Sequence, residues 1–380
     1  MEKKKLERNL LNKVVPIVIL IAIGLLIFNN FMLYERSTKI AEAKEIMEEQ
    51  SMPAVLQLIK MTANSCESCY DIGKATDELK KQNVNITKEE TISSDSQQGK
   101  ELISKYNIKK LPTLIVSGEI NKTERLAGYF GQKGEIFGNT FVFTALNPPY
   151  LDVLSNQIRG KVEIKHVVDS SCEKCVDLSP ISSALKEQGA FIEDEEFIEY
   201  NSSDGQELIN KFEIKDVPAI LISEEIDYYT AIRDALVQTG AKKREGFYAV
   251  HSTLPPYRNL SLNQIVGLVD IMYLTEDDCS TCYNVTINRN ILLRFGMTIN
   301  NETTYDIDSQ QGKQLIQKHN IKKVPIIILS PDAKYYPSLV QAWRSVGTIE
   351  NDGWFVMRNP EVLGTIWDVE KNRVAETNSS

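Results

Sequence analysis

The chain has 380 residues, long enough for two or three domains and too long for a single small one, because single cores stop growing well short of that length. Its 42% hydrophobic and 25% charged residues are those of an ordinary globular protein, which excludes a collagen, a disordered chain and a multi-span membrane protein. The formal net charge of −9, without clustered Lys and Arg, excludes a phosphate-backbone partner, so no nucleic acid is expected.

The first 13 residues carry Lys3, Lys4, Lys5, Arg8 and Lys13 and read as a cytoplasmic basic segment. They run into an apolar stretch from Val14 to Phe28, extended by Phe31, Met32 and Leu33. Residues 14–33 are therefore expected to cross a membrane as one helix, with everything after them on the non-cytoplasmic side. A cleaved signal peptide would place a small-x-small site close behind its apolar region. Ala41-Glu42-Ala43 lies 13 residues past Phe28, so an uncleaved anchor is expected. Residues 34–52 read as a charged helical stalk, and the domains beyond it meet an oxidising compartment where disulfides persist. Asn85-Ile86-Thr87 and Asn301-Glu302-Thr303 are compatible with that outward location.

All six cysteines fall in Cys-x-x-Cys pairs, and these set the register of an internal repeat. Cys66 and Cys69 are followed 106 residues later by Cys172 and Cys175, and after a further 107 by Cys279 and Cys282. Gly99, Gly205 and Gly312 each sit 33 residues after the first cysteine of their pair, and Pro112, Pro218 and Pro325 each sit 46 after it. Between Gly and Pro the copies align without a gap. Duplication accounts for this, and the constant spacing means that Cys and Pro answer to one geometry.

Within each copy a strand-like run precedes the pair, from Leu56 to Met61, Val162 to Val168 and Val269 to Leu274. A helical stretch follows, with Leu79, Leu185 and Leu292 equivalent, then a second strand beginning near Ile86, Ile192 and Ile299. The Gly-to-Pro segment reads as a short helix, and the Pro opens a strongly apolar strand such as Thr113-Leu114-Ile115-Val116. A fourth strand contains Phe141-Val142-Phe143, Phe247-Tyr248-Ala249-Val250 or Trp354-Phe355-Val356. Linkers are expected at Pro148-Pro149-Tyr150 and Pro255-Pro256-Tyr257, with Asn156-Gln157-Ile158 and Asn263-Gln264-Ile265 recurring inside them. The resulting domains span residues 53–150, 157–257 and 264–367, and residues 368–380 read as a polar tail.

This order of strand, Cys-x-x-Cys, helix, strand, helix and Pro-initiated strand resembles the thioredoxin superfamily, over nearly all of residues 53 to 367. Tyr106-Asn107-Ile108-Lys109-Lys110-Leu111-Pro112-Thr113 is the most similar piece. The resemblance implies an α/β fold class: three tandem thioredoxin-like domains, each a mixed central sheet flanked by helices, behind one transmembrane helix. It implies that Pro112, Pro218 and Pro325 are cis and face Cys66, Cys172 and Cys279. Leu111, Val217 and Val324 before them would then be left to pair with substrate backbone. Pro180 matches the helix-kinking proline of many members. The chain departs from the family in having Ser65, Ser171 or Asp278 before the first cysteine in place of Trp, and Lys60, His166 or Tyr273 where thioredoxin has a buried acid.

A Cys-x-x-Cys opening a helix suits thiol–disulfide exchange, because the helix N-terminus lowers the pKa of the first thiol and the second can resolve a mixed disulfide. Cys66, Cys172 and Cys279 are thus expected to attack, and Cys69, Cys175 and Cys282 to resolve. Glu276, Asp277 and Asp278 crowd Cys279 with negative charge, which makes it the poorest nucleophile of the three. His166 is a candidate proton acceptor beneath the second pair, beside the plainer reading of a structural histidine. Expected partners are extracytoplasmic proteins with thiols or disulfides. Two other readings stay open: inert disulfides stapling a binding or chaperone platform, and metal binding. Each copy offers only two thiols and no paired His, short of a structural zinc site, so neither a metal nor another cofactor is expected.

Overall fold

The computed structural model describes residue 26, residues 29–252 and residues 254–375. The basic segment and most of the apolar stretch expected to span a membrane lie outside them. Among the described residues no helix is long and apolar enough to cross a membrane. Helix α1 takes up residues 29–51, where the stalk is expected.

The chain divides into two compact units, Met1–Ile158 and Arg159–Ser380. The first holds one sheet-plus-helix repeat, made of β1 (Ala54–Thr62), α2 (Ile72–Lys80), β2 (Val84–Ser93), α3 (Gln97–Tyr106), β3 (Lys110–Leu111), β4 (Thr113–Gly118), α4 (Glu124–Lys133), β5 (Gly134–Phe137), β6 (Thr140–Phe143), β7 (Tyr150–Asp152) and, up to its last residue, β8 (Gln157–Arg159). The second unit holds two more. One comprises β9 (Lys161–Val168), α5 (Ser179–Glu187), β10 (Phe191–Glu199), α6 (Ser203–Phe212), β11 (Asp216–Val217), β12 (Ala219–Ser223), α7 (Thr230–Gln238), β13 (Lys242–Arg244), β14 (Phe247–His251), β15 (Tyr257–Asn259) and β16 (Gln264–Val266). The other comprises β17 (Leu268–Thr275), α8 (Ile287–Arg294), β18 (Thr298–Asp306), α9 (Gln310–His319), β19 (Lys323–Val324), β20 (Ile326–Leu329), α10 (Pro337–Trp343), β21 (Gly347–Ile349), β22 (Phe355–Met357), β23 (Ile366–Asp368) and β24 (Arg373–Ala375).

Each repeat is built on a five-stranded mixed sheet, in the orders β2-β1-β4-β6-β5, β10-β9-β12-β14-β13 and β18-β17-β20-β22-β21. The first two strands of a repeat run parallel, and the Pro-initiated strand lies antiparallel to the first. That strand is covered on both faces, which is why Leu114-Ile115-Val116, Ile220-Leu221-Ile222 and Ile326-Ile327-Ile328-Leu329 read as unbroken apolar runs. In the first repeat Leu56, Leu58, Leu114 and Val116 pack with Leu79 and Phe130 on one face, while Met61, Leu111 and Ile115 pack with Ile108 and Val142 on the other. Three such sheet-plus-helix units fit tandem thioredoxin-like domains. The helix α4, α7 or α10 is inserted between the Pro-initiated strand and the closing hairpin.

The repeated glycine has a steric cause. A Cβ on Gly99, Gly205 or Gly312 would collide with the carbonyl oxygen of Ser93, Glu199 or Asp306, so only glycine lets α3, α6 and α9 begin so close to the preceding strand.

The segments that read as linkers carry strands. β7 and β8 join β3 in a second, three-stranded sheet, and the arrangement recurs as β11-β15-β16 and β19-β23-β24. Asn156, Asn263 and Asn372, with φ of 52°, 50° and 51°, turn each pair of strands in the left-handed conformation that Asn tolerates. Residues 368–375, read above as the start of a polar tail, are therefore a hairpin. Trp367 pairs with Val324 and Val374 returns against Trp367. Residues 376–380 lie outside the described residues.

Candidate functional site

Cys66 and Cys69, Cys172 and Cys175, and Cys279 and Cys282 are joined as disulfides, with Cα atoms 5.4, 5.3 and 5.4 Å apart. The first cysteine of each pair is 9% exposed, whereas Cys69, Cys175 and Cys282 are half-buried. Access from solvent is thus greater at the second member.

The pairs do not open helices. α2, α5 and α8 begin at Ile72, Ser179 and Ile287, beyond both cysteines of their repeats. The cause is a side-chain turn at the fifth position after the first cysteine in every copy. Asp71 accepts the Gly73 amide at 2.8 Å, Asp177 the Ser179 amide at 2.8 Å, and Asn284 the Thr286 amide at 3.0 Å. Each pair is instead a separate loop, closed in the second and third repeats by Cys175 N–H to the Cys172 carbonyl and Cys282 N–H to the Cys279 carbonyl, both 3.2 Å. The helix dipole therefore acts on the thiols from a greater distance than a helix-opening pair would feel. Pro180 sits in the first turn of α5, where its missing N–H costs nothing, and so opens that helix and does not kink it.

The position of thioredoxin's buried acid is occupied by three different donors, each serving a carboxylate on the neighbouring edge strand. Lys60 pairs with Glu89, His166 Nε2 lies 3.0 Å from Glu195, and the Tyr273 hydroxyl donates to Glu302 at 2.7 Å. A base on the following helix completes each group: Lys80 to Glu89 at 3.1 Å, Lys186 to Glu195 at 2.7 Å and Arg289 to Glu302 at 2.9 Å. Burial pushes the Glu195 carboxyl up, but Lys186, Ser182 and His166 outweigh it and hold the group at about 2. His166, 2% exposed, also stacks on Phe197 with ring centroids 4.3 Å apart. Its Nε2 is thus engaged by Glu195.

The bonds before the repeated prolines, Leu111–Pro112, Val217–Pro218 and Val324–Pro325, are cis, as are Pro148–Pro149 and Pro255–Pro256. In the third repeat the residue after the second cysteine reaches that proline directly, the Tyr283 hydroxyl donating to the Pro325 carbonyl at 2.9 Å. Burial, partly offset by Asn288, pushes Tyr283 up to about 12.

The backbone before each proline is paired within the chain. Leu111 pairs antiparallel with Leu151, Val217 with Arg258 and Val324 with Trp367. The carbonyl just before each of those strands receives the amide that follows the second cysteine: Tyr70 N–H to Pro149 at 2.8 Å, Val176 N–H to Pro256 at 3.1 Å and Tyr283 N–H to Thr365 at 3.0 Å. One short strand therefore runs from the disulfide loop to the proline strand in all three repeats. In the second it is also held by an ion pair, Arg258 Nε to Asp169 at 2.5 Å, and Asp169 accepts the Ser171 amide at 3.1 Å immediately before Cys172.

No protein-family model matches this chain, and no curated protein does. Among solved structures it is similar to ERdj5 crystal form I, at 12% identity over 73% of this chain and 38% of that one, with a TM-score of 0.16. Human ERp44 is similar at 13% identity over 87% of this chain and 98% of its own, TM-score 0.14. A domain of the alkylhydroperoxide reductase AhpF from Enterococcus faecalis is similar at 14% identity over 45% of this chain and 82% of its own, TM-score 0.13. The chain spans about two fifths of the length of the ERdj5 chain. At such scores these likenesses carry no argument, and the domain reading stands on strand order and on the cysteine and proline geometry.

The third disulfide is set in acid. The Asp277 amide is accepted by Asp306 at 2.9 Å and the Asp278 amide by Glu276 at 3.1 Å. Burial, then Asp306, Asp278 and Asp308, hold Glu276 above the usual carboxylate range. Among the described residues no group of three or more His, Cys, Asp or Glu is placed to hold a metal ion. Asp71, Asp177 and Asn284, and the strand partners Leu151, Arg258 and Trp367, escape the sequence reading although they shape the site. The first three were visible as an Asp or Asn at a constant offset from the cysteine.

Proposed function

We propose that this protein is a membrane-anchored thiol–disulfide oxidoreductase whose domains lie outside the cytoplasm, exchanging disulfides with other proteins through its three cysteine pairs. The observation that carries this reading is the threefold repetition of one arrangement: a Cys-x-x-Cys disulfide on a loop of its own, with a half-buried second cysteine and a cis-proline strand tied to it. The anchor rests on the basic flank and apolar stretch of the sequence, and protease protection in intact vesicles tests it.

The pairs at Cys66 and Cys172 carry more of the activity than the pair at Cys279, because the acidic residues around the third pair disfavour a thiolate. Single Cys→Ala replacements test the exchange. Removing one member of a pair blocks resolution and leaves mixed disulfides on the other, with more trapped partner at the first two repeats than at the third. The 9% exposure of each first cysteine favours a second reading, in which the disulfides are structural and the array is a binding platform. Absence of trapped partner in every variant supports that reading.

A further inference from the structure

An extended peptide binds beside a disulfide by adding its backbone to a free strand edge, and main-chain hydrogen bonds supply much of its affinity. Here that edge is filled by the chain itself. Val153 N–H donates to the Lys109 carbonyl, Leu260 N–H to Lys215 and Val369 N–H to Lys322, each at 2.9 Å, which fixes the phase of the three ladders. Bonded and non-bonded pairs alternate in an antiparallel ladder, so Leu111–Leu151, Val217–Arg258 and Val324–Trp367, two residues on, are bonded pairs whose amides and carbonyls serve each other. The opposite edge is interrupted by Pro112, Pro218 and Pro325, which have no N–H to offer.

The covering strand is not a loose flap. Leu151 is 8% exposed and shares a core with Leu111 and Met61, Ile366 is 3% exposed, and Arg258 is held by Asp169. We propose, resting on the exchange reading above, that these disulfides exchange with thiols presented as lone side chains, without pairing to the backbone around the partner cysteine. The partner thiolate attacks one sulfur of the pair. The intramolecular S–S bond breaks, an S–S bond to the partner forms, and the other cysteine leaves as a thiolate and takes a proton from water. A second thiol of the same class then displaces the first as a disulfide, so that two thiols are oxidised and the pair gains two electrons. A low-molecular-weight thiol and a cysteine protruding from a folded surface share this chemistry.

The test uses the oxidised full chain and reads reduction of each pair by mass spectrometry. The probes are glutathione, a small folded protein with one exposed cysteine, an extended pentapeptide with a central cysteine, and the same peptide N-methylated at the residues flanking that cysteine. N-methylation is expected to change the peptide's rate by less than about twofold, because no backbone pairing is there to lose. The ratio of the glutathione and folded-protein rates shows which source is preferred, and reaction with either supports the proposal when the two peptides agree. A loss of roughly tenfold or more on N-methylation, the size expected from losing two main-chain hydrogen bonds, overturns the proposal and leaves the exchange reading intact. Failure of all four probes to reduce any pair overturns both.

Discussion

The amide of Tyr70, the residue after the second cysteine of the first pair, donates to the carbonyl of Pro149 at 2.8 Å, 79 residues further along the chain. That bond begins the strand whose Leu151 is paired with Leu111 beside Pro112. The disulfide loop, the proline strand and the segment leading to the next repeat are thus one assembly. Leu111 is 1% exposed within it, and Leu111→Ala is expected to destabilise the first domain by about 2–4 kcal/mol through lost burial and a residual cavity. Hydrogen exchange of β4 and β7 amides reads this locally in a chain whose domains need not unfold together.

A repeated glycine and an exposed helical one give predictions of opposite sign. Gly205→Ala drives a Cβ into the Glu199 carbonyl and is expected to cost about 1–3 kcal/mol. Gly128 in α4 has nothing within 4 Å of its Cβ position, so Gly128→Ala is expected to stabilise by about 0.5–1 kcal/mol through helix propensity. Hydrogen exchange in α6 and α4 measures the two effects.

Much of this assembly was legible in the sequence, and the reason lies in period and length. The first and Pro-initiated strands carry enough apolar residues to declare themselves, and the ungapped register from Gly99, Gly205 and Gly312 to Pro112, Pro218 and Pro325 locates the cis bonds. β7, β15 and β23 are three residues long, too short for alternation to show, and their signal is a lone left-handed Asn at 156, 263 or 372. The cysteine pattern by itself predicts a helix start at the pair, whereas the side chains of Asp71, Asp177 and Asn284 halt the helix short of it.

Glu195 gives the second domain a defined acid sensitivity. Its carboxyl is held at about 2 against an ordinary value of 4.5, so its contribution to stability is fully present above about pH 4.5 and is lost as pH falls through about 2. Glu195→Gln should be less stable than the parent near neutrality, and the gap should close as pH falls across that window. Protection of β10 amides as a function of pH checks it. A gap that stays constant down to pH 2 would contradict the assignment.

The exposure of the two cysteine residues predicts an order within each pair. Cys69 and Cys175 are half-buried and Cys66 and Cys172 are 9% exposed, so Cys66→Ala and Cys172→Ala, which leave the more accessible thiol, should accumulate more mixed disulfide than Cys69→Ala and Cys175→Ala. The reverse ratio would restore Cys66 and Cys172 as the attacking members that the sequence reading expects.

The midpoint potential of each pair, measured separately in the purified full chain, decides between exchange and structural staples. Exchange chemistry predicts three potentials above about −300 mV. The third should be the lowest, because Glu276, Asp277 and Asp278 disfavour the thiolate that would stabilise its reduced form. Three potentials below about −300 mV would mark structural disulfides and contradict exchange.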